Sequence, residues 1–276
     1  SAFKLSLRHL EPIQLVLYST FFSICVLFIL VVYQGKLNLV KNFTRADLKK
    51  CALLGFLNPC LYYIILFKGY DALPAQEAMV INFSWPVMLV ILSIPILKQT
   101  IDMKSFLSII VCYFGVVIIA TNGNISSMQF ENPFGVFLML SSTVIWSLFW
   151  LFNTKNSHDS LVSLFLIFVF SFPFILGFVV LTNSFVTPSI EGVIGSIYIG
   201  FFEMGISLVL WQSALKISTT VSRIASLVFI TPFLSLIILY FILGERILLS
   251  TVAGILLICG GLILQKYFMK KAIKQS

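Results

Sequence analysis

The sequence predicts an all-α polytopic membrane protein, and three observations carry that prediction. Of 276 residues, 59% are hydrophobic and only 10% charged, with mean hydropathy +1.06. A soluble domain carries about 25% charged residues. This chain has too few polar side chains to cover a globule in water, so lipid must solvate its outer surface. The apolar residues also gather into nine long runs, and the cations fall on one side when those runs are threaded through a bilayer. A soluble enzyme, a disordered chain and a coiled coil are excluded by composition. A β-barrel is excluded because its strands alternate apolar and polar residues.

A span needs roughly 20 mostly apolar residues. The first run, 13–33, is followed by the basic loop 34–49. The second, 50–70, contains Asn58, Pro59, Tyr62 and Tyr63. The third, 74–97, opens on the helix breaker Pro74 and contains Pro86. The fourth, 104–121, leads into the loop 122–133, which lacks Lys and Arg. The fifth, 134–152, is rich in Trp. The sixth, 160–182, contains Pro173 and ends at the loop 183–190, again without cations. The seventh, 191–215, carries Glu203, the eighth, 219–243, Pro232, and the ninth, 249–268, runs into a Lys-rich tail. The runs are apolar on nearly all sides, as buried helices are. The gaps leave no room for a soluble domain.

With the C-terminus placed in the cytoplasm, that side holds Lys36, Lys41, Arg45, Lys49, Lys50, Lys98, Lys104, Lys155, Lys216, Arg223, Lys266, Lys270, Lys271 and Lys274, which is 14 of the 18 Lys and Arg. The far side holds Lys4, Arg8, Lys68 and Arg246. The positive-inside rule favours this threading. Ser1 then lies outside, and a further span is expected ahead of it, making ten; a cleaved signal peptide is the alternative. The net charge of +8 meets anionic headgroups, and without an aromatic-interleaved basic patch no nucleic-acid partner is expected. The five cysteines lack paired spacing and read as reduced packing residues. No cofactor and no metal site are expected.

The chain also matches itself at an offset of 146 residues. Phe83 falls on Phe229, Pro86 on Pro232, Leu97 on Leu243 and Gly115 on Gly261. In this threading the matched hairpins, 74–121 and 219–268, insert upside down relative to each other, an arrangement used by secondary transporters.

The stretch LNPCLYYIILFKGYDALPAQEAMVINFSWPVMLVILS, from Leu57 to Ser93, resembles the first repeat of the EamA family, within the drug/metabolite transporter superfamily. YIGFFEMGISLVLWQSALKISTTVSRIASLVFITPFLSLIILYFILGE, from Tyr198 to Glu245, resembles its second repeat, and TVIWSLFWLF its sixth span. The resemblance implies a ten-helix inverted-repeat bundle, five plus five, with the first helix largely absent from this chain. The repeats would be 1–121 and 134–276. It also implies an exporter of small metabolites, often amino acids, in the cell's inner membrane.

Glu203 is the sharpest candidate for the site. A carboxylate at mid-membrane costs about 2.5–3.5 kcal/mol on insertion scales and faces the bundle interior or a wet cavity. Gly192, Ser196, Gly200, Glu203, Ser207, Trp211 and Ala214 recur at helical spacing as a small, polar stripe. Close helix packing is the competing reading of that stripe. Asn58, Tyr62, Asn82, Trp85 and Trp146 are candidate pathway residues, with Tyr63, Thr143 and Asn153 beside them, whereas Trp150 reads as an interfacial anchor. Pro86 and Pro232 are candidate hinges at equivalent places in the two halves, and Pro59 and Pro173 are further kinks. Glu77 is a helix-start dipole partner or part of an outer gate. Arg223 snorkels to headgroups or attracts a substrate carboxylate.

A secondary transporter of small molecules fits these features best. An intramembrane enzyme is the alternative, but His9 and His158 lie in loops, and no His-Glu-x-x-His or Gly-x-Ser-x-Gly motif occurs. A receptor or scaffold would leave the repeat without purpose. Without a P-loop, ATP does not drive transport directly; downhill facilitation and proton coupling both fit.

Overall fold

The computed structural model describes residues 6, 9–73, 75–99, 101–121, 123–128, 132–230 and 249–273. These form helices and short connections. Helix α1 spans Pro12–Tyr33 and starts where the Glu11–Gln14 capping box meets Pro at the first helical position. A 3₁₀ turn, Leu37–Asn42, leads to α2, Arg45–Gly55. Thr44 caps α2, because its Oγ1 accepts from the Asp47 amide at 3.2 Å and the Asp47 carboxylate accepts from the Thr44 amide at 3.1 Å. A π turn, Phe56–Leu61, joins α2 to α3, Tyr62–Ala72. Helix α4 is Ala75–Asn82, α5 Trp85–Leu97, α6 Met103–Ala120, α7 Pro133–Thr154 and α8 Ser160–Leu181. Helix α9, Ile190–Tyr198, passes through a second π turn, Ile199–Ile206, into α10, Ser207–Ile217. Helix α11, Val221–Ala225, precedes a 3₁₀ turn, Ser226–Phe229, and α12 is Leu249–Ile273.

Among the described residues six helices are long and apolar enough to cross a membrane, and Met103–Ile119 and Val252–Leu264 are shorter apolar helices. Eight of the nine sequence runs coincide with helices or helix pairs; only the start of the run at 219–243 lies within the described residues.

The chain divides into two compact units. The first comprises Ser1–Phe67 and Phe152–Ile217, the second Lys68–Leu151 and Ser218–Ser276. Each unit therefore draws on both halves of the sequence.

In the first unit α1 packs on α8 and on the α9–π segment, and α2 packs on α8. Rings of Phe21 and Phe172 are 6.3 Å apart and those of Phe28 and Phe165 are 5.8 Å apart. The residue numbers rise on α1 as they fall on α8, so the two helices are antiparallel. Two glycines seat in the same way. An added Cβ on Gly55 would press on the Ile167 carbonyl and lie 3.0 Å from the Ser171 amide nitrogen; one on Gly200 would lie 2.6 Å from the Ser19 carbonyl and 3.0 Å from the Ser23 amide nitrogen. In each case a glycine from one half rests on successive backbone turns of a helix from the other.

In the second unit α6 packs along α12. A Cβ on Gly115 would lie 2.6 Å from the Gly254 carbonyl, and one on Gly261 would lie 2.8 Å from the Ser108 carbonyl. The Cys112 thiol donates to the Ile258 carbonyl at 3.5 Å. Shifting by 146 residues carries Ser108 to Gly254, Cys112 to Ile258 and Gly115 to Gly261. The contacts thus map onto one another when the two helices are exchanged, as they do across a two-fold axis. These equivalent helices also run antiparallel.

Candidate functional site

In the first unit the second span is broken at its centre. Asn58 adopts an extended conformation, φ −148° and ψ 125°, inside the π turn, and the Asn58–Pro59 peptide is cis. Proline supplies no amide hydrogen, so backbone groups on either side lose their helical partners. Asn58 itself is fully buried, and neither its amide nitrogen nor its amide oxygen has a hydrogen-bond partner among the described residues. Leaving buried polar atoms unpaired costs about 1–3 kcal/mol. Tyr62 and Tyr63 follow at the start of α3, both buried, with ring centroids 4.9 Å apart.

Glu203 lies half-buried in the second π turn, and it is within electrostatic range of Tyr63. The offset of 146 residues sets Asn58 against Met204, next to Glu203, so both halves interrupt the helix at the same place. The structure thus brings Asn58, Tyr62, Tyr63 and Glu203 into one unit, with Trp211 half-buried and Ser207 exposed on α10.

The stripe read from Gly192 to Ala214 is not one continuous face. Its first part packs: Gly192 abuts Leu10, Ser196 donates to the Gly192 carbonyl at 2.8 Å and Gly200 seats on α1. The π turn adds a residue to the helical repeat and rotates the side chains beyond it. Sequence reasoning missed Gln212, which is fully buried with both side-chain polar atoms unpaired among the described residues. Asn153 is buried and unpaired in the same way. An amide at helical depth was the available signal, but Gln212 lies off the predicted stripe.

The second unit gathers Trp85 and Trp146, whose rings meet edge to face at 6.1 Å, and Trp150 stands 5.5 Å from Trp146. Ser147 Oγ donates to the Trp85 carbonyl at 3.3 Å. Trp150 is fully buried, so the expectation of an interfacial anchor is corrected: its ring is enclosed, beside the Trp146 and Phe149 rings of its own helix. Asn82 ends α4 and hydrogen-bonds with Tyr70. Pro86 does not kink a continuous helix. The chain turns at 83–84 and Pro86 occupies the first turn of α5, where a missing amide hydrogen costs nothing. Glu77 is the third residue of α4. Arg223 is exposed in α11, whose first amide, at Val221, donates to Gln99 Oε1 at 3.1 Å. Pro232 lies outside the described residues.

A polar cluster closes one end of the first unit. Lys36 pairs with Asp159 at 2.8 Å, His158 Nε2 lies 3.2 Å from Asp47 and the Lys216 ammonium donates to the His158 carbonyl at 2.6 Å. Phe43 stacks on His158 with centroids 4.0 Å apart. Hydrogen bonds from the Thr44 hydroxyl and amide, with His158 beside them, hold the Asp47 carboxyl at about 2. Burial pushes Asp159 up, but Lys36 and the amides of Val162 and Leu161 outweigh it and leave the carboxyl below its ordinary value.

The EamA-like transporter family model matches residues 1–121 and 133–265. The chain is 29% identical over 263 residues to a protein of Archaeoglobus fulgidus described as an uncharacterized transporter, covering 92% of this chain and 88% of that one. It is 27% identical over 270 residues to another protein so described, from Clostridium kluyveri, covering 95% and 86%. A crystal structure at 16% identity superposes with TM-score 0.80 over 97% of this chain and 91% of the other, and shows the same fold. With its apolar helices and a family match along nearly its whole length, the chain belongs to the EamA-like transporter family of multi-pass membrane proteins.

Proposed function

We propose that this transporter exports small zwitterionic metabolites, amino acids among them, by alternating access between inverted repeats at 1–121 and 134–276. The observation that carries the reading is the interruption of equivalent helices at Asn58 and Glu203 inside one compact unit. Discontinuous membrane helices meeting near mid-membrane are where secondary transporters hold substrate. The Glu203 carboxylate suits a substrate ammonium. The Asn58 amide, unpaired among the described residues, and the unwound backbone suit a carboxylate, and Tyr62, Ser207 and Trp211 complete that part of the site. Asn82, Trp85 and Trp146 are a second set of candidate substrate contacts, aromatic and amide-bearing, within the second unit. Pro86 and Pro232 act as hinges, and Glu77 and Arg223 as gate residues. The reciprocal, antiparallel packing of α6 on α12 supports the inversion. The basic loops support a cytoplasmic C-terminus in the inner membrane, and Glu203 is the residue on which a coupling proton would ride.

Purified protein in proteoliposomes should exchange a labelled amino acid across the bilayer faster than protein-free vesicles. An imposed pH gradient should drive its accumulation if Glu203 carries a proton; equal flux with and without the gradient would remove proton antiport. Absence of flux across an amino-acid screen would overturn the substrate class.

A further inference from the structure

Beside the polar cluster of the first unit lies a cavity of about 380 Å³ with two chemically distinct ends. Asp47, Lys50, Lys155, Asn156 and Ser157 line its rim. Leu53, Leu54, Leu57 and Phe152 supply its apolar lining. From Lys50 on α2 to Leu57 in the π turn that continues it, seven residues rise about 10 Å, so the lining passes from cationic to hydrocarbon within the length of a lipid headgroup and its first methylenes. The cavity opens outward, since Leu53 is 62% and Phe152 46% exposed.

The charges at the rim are unequally committed. Asp47 is taken up by the Thr44 hydroxyl at 2.7 Å and by His158 at 3.2 Å. Lys50 touches it only at 3.9 Å, with a side chain 75% exposed, and an exposed pair of that kind holds little. Lys155 enters no ion pair among the described residues and is exposed. Asn156 is fixed, donating to Ser163 Oγ at 3.1 Å and accepting from the His158 amide at 3.1 Å, which holds the 155–157 turn in place. The rim therefore offers two available ammonium groups above an apolar crevice.

We propose that this crevice binds one anionic glycerophospholipid from the leaflet that meets the 34–49 loop. Its phosphate sits between Lys50 and Lys155, and an acyl chain lies along Leu53, Leu57 and Phe152. Basic pockets between membrane helices recognise such headgroups. A zwitterionic lipid would bring its own ammonium against the lysines and is disfavoured.

Native mass spectrometry of the full chain, titrated with phosphatidylglycerol and with phosphatidylcholine, tests this. One tightly bound phosphatidylglycerol is expected, with affinity falling about fivefold for each lysine removed in K50Q and K155Q. Phosphatidylcholine binding should be unchanged, and K98Q should behave as the parent. L53Q should weaken phosphatidylglycerol without changing the weak binding of glycerol phosphate. Unchanged phosphatidylglycerol affinity in K50Q/K155Q would overturn the proposal. So would displacement of the lipid by an equal concentration of glycerol phosphate, which would mark a site for soluble phosphates.

Discussion

At the scale of single residues, Asn58 departs furthest from what stability alone would select. It is a fully buried amide without a partner among the described residues, at a break in a membrane helix. If the amide is kept for substrate, Asn58→Leu should leave the melting temperature in detergent unchanged or raise it, by up to about 1–3 kcal/mol of stability, while transport is lost. A large destabilisation with transport intact would assign Asn58 to structure instead. Asp47 makes the opposite case. Its carboxyl is held at about 2 against an ordinary 3.8, so the folded state releases this proton more readily than the unfolded state. The stabilisation is present above about pH 4 and declines as pH falls towards 2. Melting curves across that range should lose this dependence in Asp47→Asn. The sequence offered Glu203 because a lone mid-membrane carboxylate is conspicuous. It could not show that Gln212 and Asn153 are buried without partners among the described residues, because both depend on how helices face one another.

At the scale of elements, spans were legible because a run of about 20 apolar residues has few other fates. Breaks within spans were less so. Pro59 signalled disruption, but not the extended Asn58 before it. Pro86 suggested a kink, yet it opens α5 after a turn at 83–84. The π turn at Ile199–Ile206 carries no composition signal, and it divides a stripe that 3.6-residue periodicity joins. The 146-residue offset aligns Gly115 with Gly261, and both seat in the α6–α12 contact. Because the Cβ of a larger residue at Gly115 would meet the Gly254 backbone carbonyl at 2.6 Å, Gly115→Val should destabilise the protein by about 1–3 kcal/mol. Gly177→Ala, with nothing within 4 Å, should be neutral or mildly stabilising. Equal melting temperatures for the two variants would contradict close α6–α12 packing.

At the scale of the whole molecule, scarcity of charge identifies a membrane protein, and the distribution of charge sets the threading. The family match along both halves agrees with a multi-pass membrane protein. The division into compact units was not visible in the sequence, because each unit combines early and late segments that only folding brings together. Transport by opposed halves asks for antiparallel equivalents, and α6 with α12 provides one such pair. The most direct test is amino-acid exchange in proteoliposomes by parent and Glu203→Gln protein at equal reconstitution. The expected result is measurable exchange by the parent and at least a tenfold loss in the variant, which corresponds to about 1.4 kcal/mol of lost coupling. Equal exchange by both proteins would contradict the central role of Glu203.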